Sequence, residues 1–148
     1  MRSALPRKKS GLDELSLVEA TRAGGAHSAR RDYRDFAINR RSLRDVLELG
    51  DFVSVFGWLD RRAEREYARQ LLPRATGAPT RATLYVCPEC ADPGCGVVTV
   101  RVEAREDCVV WSEPAWGDAV GAESPLDESW RDLWFDRVAY HSALALYL

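Results

Sequence analysis

The chain has only two histidines, His27 and His141, in 148 residues, and it contains no apolar run of the ~18 residues needed to cross a bilayer. The missing run excludes a membrane-spanning helix. The opening stretch MRSALPRKKSGLDELSL carries charge without an apolar core of signal-peptide length, so the expected location is cytoplasmic. Scarce histidine leaves no His-rich metal motif and no readable Ser-His-Asp set, and no glycine-rich phosphate loop is present. Internal repeats and low-complexity segments are also lacking.

What is present suits one folded domain. Hydrophobic residues make up 46% of the chain, with five Trp and five Tyr, enough apolar surface for a core and far from a disordered composition. The net charge of −2 hides an asymmetry: residues 1–80 carry 16 Lys/Arg against 11 Asp/Glu, and residues 81–148 carry 5 against 12. Such a division can steer a partner or pack the two halves together. The basic start is interleaved with Asp13, Glu14 and Glu19 and lacks an aromatic stacking series, which argues against nucleic-acid binding.

Along the chain, residues 1–30 read as an N-terminal arm in which LDELSLVEATRA can form a short helix from Ser10, broken by GGAHS. Residues 31–148 read as a single α+β domain. DYRDFAIN is a strand. Ser42 caps a helix over 43–49 with Asp45 three residues on, and Gly50 stops it. DFVSVFGW is apolar enough for a buried central strand. Asp60 opens a helix over 61–72 that lays Ala63, Tyr67 and Leu71 on one stripe and places its Arg and Glu residues opposite. ATLYV, GVVTVRVEA and CVVWSEP form a three-strand meander; AWGDAVGAESPLDES is a long loop; a last helix over 136–146 turns Val138, Tyr140 and Leu144 inward. The expected architecture is an antiparallel sheet of about five strands, with two or three helices packed on it.

The segment VCPECADPGCGVV concentrates three of the four cysteines. Cys87 and Cys90 have the C-x2-C spacing that lets two thiolates meet one ion, and Pro93-Gly94 bends the chain so that Cys95 approaches the same point. These three residues are the candidate metal ligands, with zinc as the expected ion. If 97–103 and 108–112 form a hairpin about a four-residue turn, Cys108 lies opposite Glu103, roughly 26 Å from Cys95 at 3.3 Å per residue, and is no ligand. A fourth ligand would have to come from Asp92, His27, His141 or water. Two other readings stay open: a redox dithiol, although a redox C-x-x-C normally opens a helix, and a tight turn whose cysteines act as small hydrophobes.

LYVCPECADPGCGVVTVRVE and VVWSEPAW, with INRRSLRDVL and GDFVSVFGWL upstream and FDRVAYHSAL at the end, resemble an uncharacterised family of small bacterial proteins. Its members look like LYVCPECGDLGCG, then a valine-rich strand, V-V-W with an aromatic, and F-D-x-x-x-Y. The likeness covers residues 33–145. The three thiols, Asp92 and the following glycines match this pattern, whereas Ala91 and Pro93 depart from it and tighten the turn. Cys108 and His141 fall where the pattern names no cysteine or histidine. The resemblance implies a shared knuckle and no activity; some members are labelled oxidoreductase, for which this chain shows no motif.

Two functional classes follow. One is a binding or adaptor module in which Trp111, Trp116, Trp130 and Trp134, near Glu113, Asp118, Asp127, Glu128 and Asp132, contact a basic protein partner. The other is an enzyme, thiol-redox or metal-dependent, using Cys87, Cys90 and Cys95, with Glu89 or Asp92 as the nearby base.

Overall fold

The computed structural model describes residues 11–118, 123–126 and 130–148 and shows a mixed α+β fold of two antiparallel sheets and three helices. The chain opens with β1 (Leu15–Arg22), hairpinned to β2 (Arg31–Ile38), with all eight residues in register from Leu15 opposite Ile38 to Arg22 opposite Arg31. The expected helix at this place is therefore a strand, and the arm from Gly11 onward is part of the domain. Helix propensities differ by only tenths of a kcal/mol per residue, and a full ladder that also buries Leu15 outweighs them. The expectation for residues 1–10 lies outside the described residues.

Asn39 and Arg40, both at positive φ, make the two-residue turn into β3 (Arg41–Ser42). Ser42 then caps α1 (Leu43–Val46), its Oγ accepting from the Asp45 N–H at 3.2 Å. The helix is shorter than the expected 43–49 because Glu48 turns left-handed, at φ 54°. Next comes β4 (Val53–Ser54), which is buried but stands at the end of its sheet, correcting the expectation of a central strand. Its burial comes from the neighbouring sheet: beyond it, Phe56 bridges to Arg34 of β2.

Asp60 caps α2 (Arg61–Gln70) through Ala63 N–H at 2.9 Å. Leu71 faces the core as expected, with Ala68 beside it, whereas Ala63 and Tyr67 are only partly buried and Glu64 is buried, accepting the Gly57 N–H. The meander is β5 (Thr80–Val86), β6 (Val97–Arg105) and β7 (Cys108–Gly117). The expected long loop contains β8 (Glu123–Pro125), paired with the far end of β7, and the chain returns along β7 as β9 (Leu133–Asp136). Asp136 caps α3 (Arg137–Leu144), accepting from Ala139 N–H at 2.9 Å. Tyr140 and Leu144 point inward, whereas Val138 is 74% exposed. At about 100° per residue, a position two before Tyr140 must face away from it.

The six-stranded sheet runs β4-β5-β6-β7-β8 with β9 on β7, and the three-stranded sheet runs β1-β2-β3. Two single bridges, Arg34 to Phe56 and Asp13 to Phe135, join them. Hydrogen-bonded neighbours therefore form a closed circuit, β1-β2-β4-β5-β6-β7-β9, that leaves few free edges. Inside it, Phe36 packs edge-on against Phe56, Tyr85 and Trp111 at centroid distances of 5.7, 5.6 and 5.9 Å. Tyr140 closes this core from α3, accepting from Trp111 Nε1 at 3.0 Å and donating to the Leu71 carbonyl at 2.6 Å. Asp13 anchors the second bridge: fully enclosed, it accepts from Arg131 at 3.0 Å, from Asn39 at 2.8 Å and from the Trp134 N–H at 3.0 Å.

Candidate metal centre

The knuckle is the crossover between β5 and β6. Cys87 follows the last residue of β5, and the Ala91 N–H closes a turn onto the Cys87 carbonyl at 2.9 Å. Closing it puts Ala91 at φ 56°, a left-handed conformation that only glycine adopts without cost. Asp92 then makes an Asx turn, accepting from Gly94 N–H at 2.8 Å, and Pro93–Cys95 form one 3-10 turn that brings Cys95 back. Gly96, at φ 95°, leads into β6, and a Cβ there would meet the Phe52 ring at 3.8 Å, a ring that packs edge-on against Trp116 at 5.0 Å.

As a result the sulfurs of Cys87, Cys90 and Cys95 all lie within 4.8 Å of one another, and Cys90 Sγ to Cys95 Sγ is 3.4 Å. Three sulfurs bound at ~2.3 Å to one tetrahedral ion would be ~3.8 Å apart, so the cluster can hold a metal ion with small adjustments. Cys90 and Cys95 are exposed and Cys87 is half-buried, which leaves the site open on one side.

The three thiols are not equivalent. Burial raises the Cys87 thiol, but the N–H groups of Glu89 and Cys90 and the two neighbouring sulfurs outweigh it, holding Cys87 below the ordinary thiol range. The contact with Cys90, reinforced by its charge, pushes the Cys95 thiol up to about 11. Protons thus leave the cluster stepwise, Cys87 before Cys95, and a cation among the sulfurs would favour the fully deprotonated form.

The other candidates fall outside the group. Asp92 caps the 3-10 turn, His27 sits exposed in the β1–β2 turn, His141 is exposed on α3, and none of them joins the three sulfurs. Cys108 is at the opposite end of the β6–β7 ladder: it pairs with Arg105 across a two-residue turn, while Val97, two residues after Cys95, pairs with Gly117. The expected four-residue turn with Cys108 opposite Glu103 is corrected by two positions, because Glu106 adopts φ 56° and allows the tighter turn. Burial raises the Cys108 thiol, as do the carboxylates of Asp136, Glu106 and Asp107.

Sequence reasoning missed the residues that hold the knuckle from below. Arg22, at the end of β1, has an 8% exposed side chain that pairs with both Asp51 oxygens, the Ala29 carbonyl and Glu89 Oε1, the last at 2.6 Å. Arg31 donates to the Pro88 carbonyl at 2.6 Å and to the Glu89 carbonyl at 3.3 Å while lying 4.6 Å above the Trp58 ring. Arg22 holds the Glu89 carboxyl below the ordinary range, helped by the Ala29 N–H. The β1–β2 hairpin therefore clasps the Pro88-Glu89 turn that carries Cys87 and Cys90. Nothing in the local sequence marks these arginines, which resemble any others in a basic segment.

Of the four tryptophans considered for a contact surface, Trp111 is fully buried, and Trp116, Trp130 and Trp134 are partly buried. Glu113 and Asp118 are exposed and Asp132 is half-buried; Asp127 and Glu128 lie outside the described residues. Among the described residues no helix is long and apolar enough to cross a membrane. No family model matches the chain, and the searches of curated proteins and solved structures found no match either.

Proposed function

We propose that this protein is a small binding module whose Cys87, Cys90 and Cys95 hold a zinc ion in a structural role. The convergence of three sulfurs within 4.8 Å on a loop clasped by two arginines carries the reading. Three thiolates suit zinc by softness and charge. When bound, the ion would tie the β5–β6 crossover to itself, and Arg22 and Arg31 would tie that crossover to the hairpin. Glu89 and Asp92, the carboxylates nearest in sequence, are engaged with Arg22 and with the Gly94 N–H, which favours a structural over a hydrolytic role.

The test is metal analysis of the full chain, purified without added zinc, together with counting of free thiols. The expected result is one zinc per chain with Cys108 alone readily alkylated. A metal-free protein with four reactive thiols overturns it.

The 3.4 Å separation of Cys90 and Cys95 favours a second reading, a reversible dithiol. This pair is not the C-x-x-C pair, so a metal-free protein whose Cys90–Cys95 bridge cycles with reductant would select it. For the binding role, the expected partner is a basic protein surface meeting the acidic half around Trp116, Trp130 and Trp134, checked by pull-down at low salt.

A further inference from the structure

A cavity of about 340 Å³ opens between α2, β2 and the last residues of the chain, with Arg34, Arg61, Arg65, Glu64, Leu146 and Tyr147 in its lining. Its charges are arranged against the stability of the fold. Arg61 and Arg65 are four residues apart on α2, so two like charges share one helix face. Arg61 is also the first residue of that helix, where the helix dipole disfavours a cation. Neither arginine has an ion-pair or hydrogen-bond partner among the described residues. Among the described residues, the Arg34 guanidinium pairs only with the 90% exposed carboxylate of Glu19, at 4.0 Å. Glu64, whose carboxylate is in the lining, accepts the backbone N–H of Gly57.

Three guanidiniums outnumber the two carboxylates of the lining, those of Glu64 and of the terminal Leu148, so the cleft is net positive, and guanidinium forks bind phosphate oxygens in pairs. Tyr147 and Leu146 supply the apolar part of the wall. Tyr147 is stacked on Phe56 with centroids 4.5 Å apart, and Leu146 is 64% exposed beside it. Two cations without partners share one helix face at a concavity, and departures of this kind concentrate at functional sites.

We infer that this cleft binds a small phosphomonoester, its phosphate held by Arg34, Arg61 and Arg65 and its organic part against Tyr147 and Leu146. The site is separate from the cysteine cluster and does not depend on the metal reading.

Calorimetric titration of the full chain with phenyl phosphate, inorganic phosphate and acetate at one ionic strength tests this. Phenyl phosphate should bind best, inorganic phosphate next, and acetate about tenfold or more weaker than either. Arg61→Gln and Arg65→Gln should each lower phenyl phosphate affinity about fivefold or more, whereas Arg69→Gln, whose guanidinium pairs with Glu66 at 3.3 Å, should not. In thermal melts without ligand, the R61Q/R65Q double variant should melt no lower than the parent and should lose the phosphate-dependent rise in Tm. Phosphate binding no tighter than acetate, or full phenyl phosphate affinity in the double variant, overturns the proposal.

Discussion

Arg22 and Glu89 are 67 residues apart in the chain, yet the guanidinium and carboxylate meet at 2.6 Å beneath the knuckle. The same guanidinium also grips Asp51 and the Ala29 carbonyl, so one buried cation joins β1, the loop before β4 and the cysteine turn. The placement of the three sulfurs is therefore braced by a residue far outside the cysteine motif.

Replacing Arg22 with Gln should lower zinc affinity on the order of 10- to 100-fold, the range seen when groups orienting metal ligands are removed. Competition against a chelator of known affinity measures it. Arg30→Gln should leave the affinity unchanged, because Arg30 is exposed and pairs only with Asp32. Equal affinities in R22Q and the parent would reduce Arg22 to a strut for the hairpin.

Ala91 takes a left-handed conformation at φ 56° in the turn that places Cys90. Ala91→Gly should stabilise the protein by about 1 kcal/mol, since the steric cost to an L-residue exceeds glycine's added chain entropy. Urea unfolding should show the midpoint rising with little change in slope. A lower midpoint would mean that the Ala91 methyl packs favourably enough to outweigh the strain.

Chelation should lower Tm in the parent and in Cys108→Ser by the same amount, because Cys108 lies outside the cluster. Cys87→Ser, Cys90→Ser or Cys95→Ser should remove both the bound zinc and the chelator effect. A C108S protein lacking zinc would show that the register of the β6–β7 hairpin differs from the one described.

Two aspartates should give opposite pH responses. Burial raises Asp13, but Arg131, Asn39 and the Trp134 N–H outweigh it and hold the carboxyl below its ordinary 3.8. Its contribution is present above 3.8 and is lost as pH falls through the lower folded value. Asp35 is also buried, accepting from Ser42 at 2.5 Å and Tyr85 at 2.6 Å, yet burial wins and its pKa is raised above 3.8. Its contribution is fully present below 3.8 and is lost as pH rises through the higher folded value. The stability deficit of Asp13→Asn relative to the parent should therefore shrink on going from neutral to acid pH. Asp35→Asn should compare better with the parent at neutral than at acid pH. Urea unfolding of each variant beside the parent across the acid range reads both signs, and parallel curves would contradict them.

Much of the local structure was legible because it is decided by neighbours in the chain. Ser42, Asp60 and Asp136 all accept from the N–H three residues on, as a short polar side chain before an amphipathic stretch should. The alternation Val98, Val100, Val102 placed one face of β6 in the core, and Pro93-Gly94 supplied the return that brings Cys95 to Cys90. By contrast, Leu15–Arg22 satisfies helix and strand rules alike, and only β2 alongside it decides between them. Val53–Ser54 is apolar because a second sheet covers it, which looks the same in one dimension as a central strand.

The sequence by itself determined the three-thiol knuckle, the helix starts and the α+β class, because turns, caps and periodic burial are short-range effects of residues a few positions apart. Tertiary structure alone decided that the arm is a strand, that Arg22 and Arg31 hold the knuckle, and that Arg34 joins Arg61 and Arg65 around one cleft. Those outcomes are pairings between segments tens of residues apart, and no local pattern encodes which partner a backbone edge or a guanidinium will find.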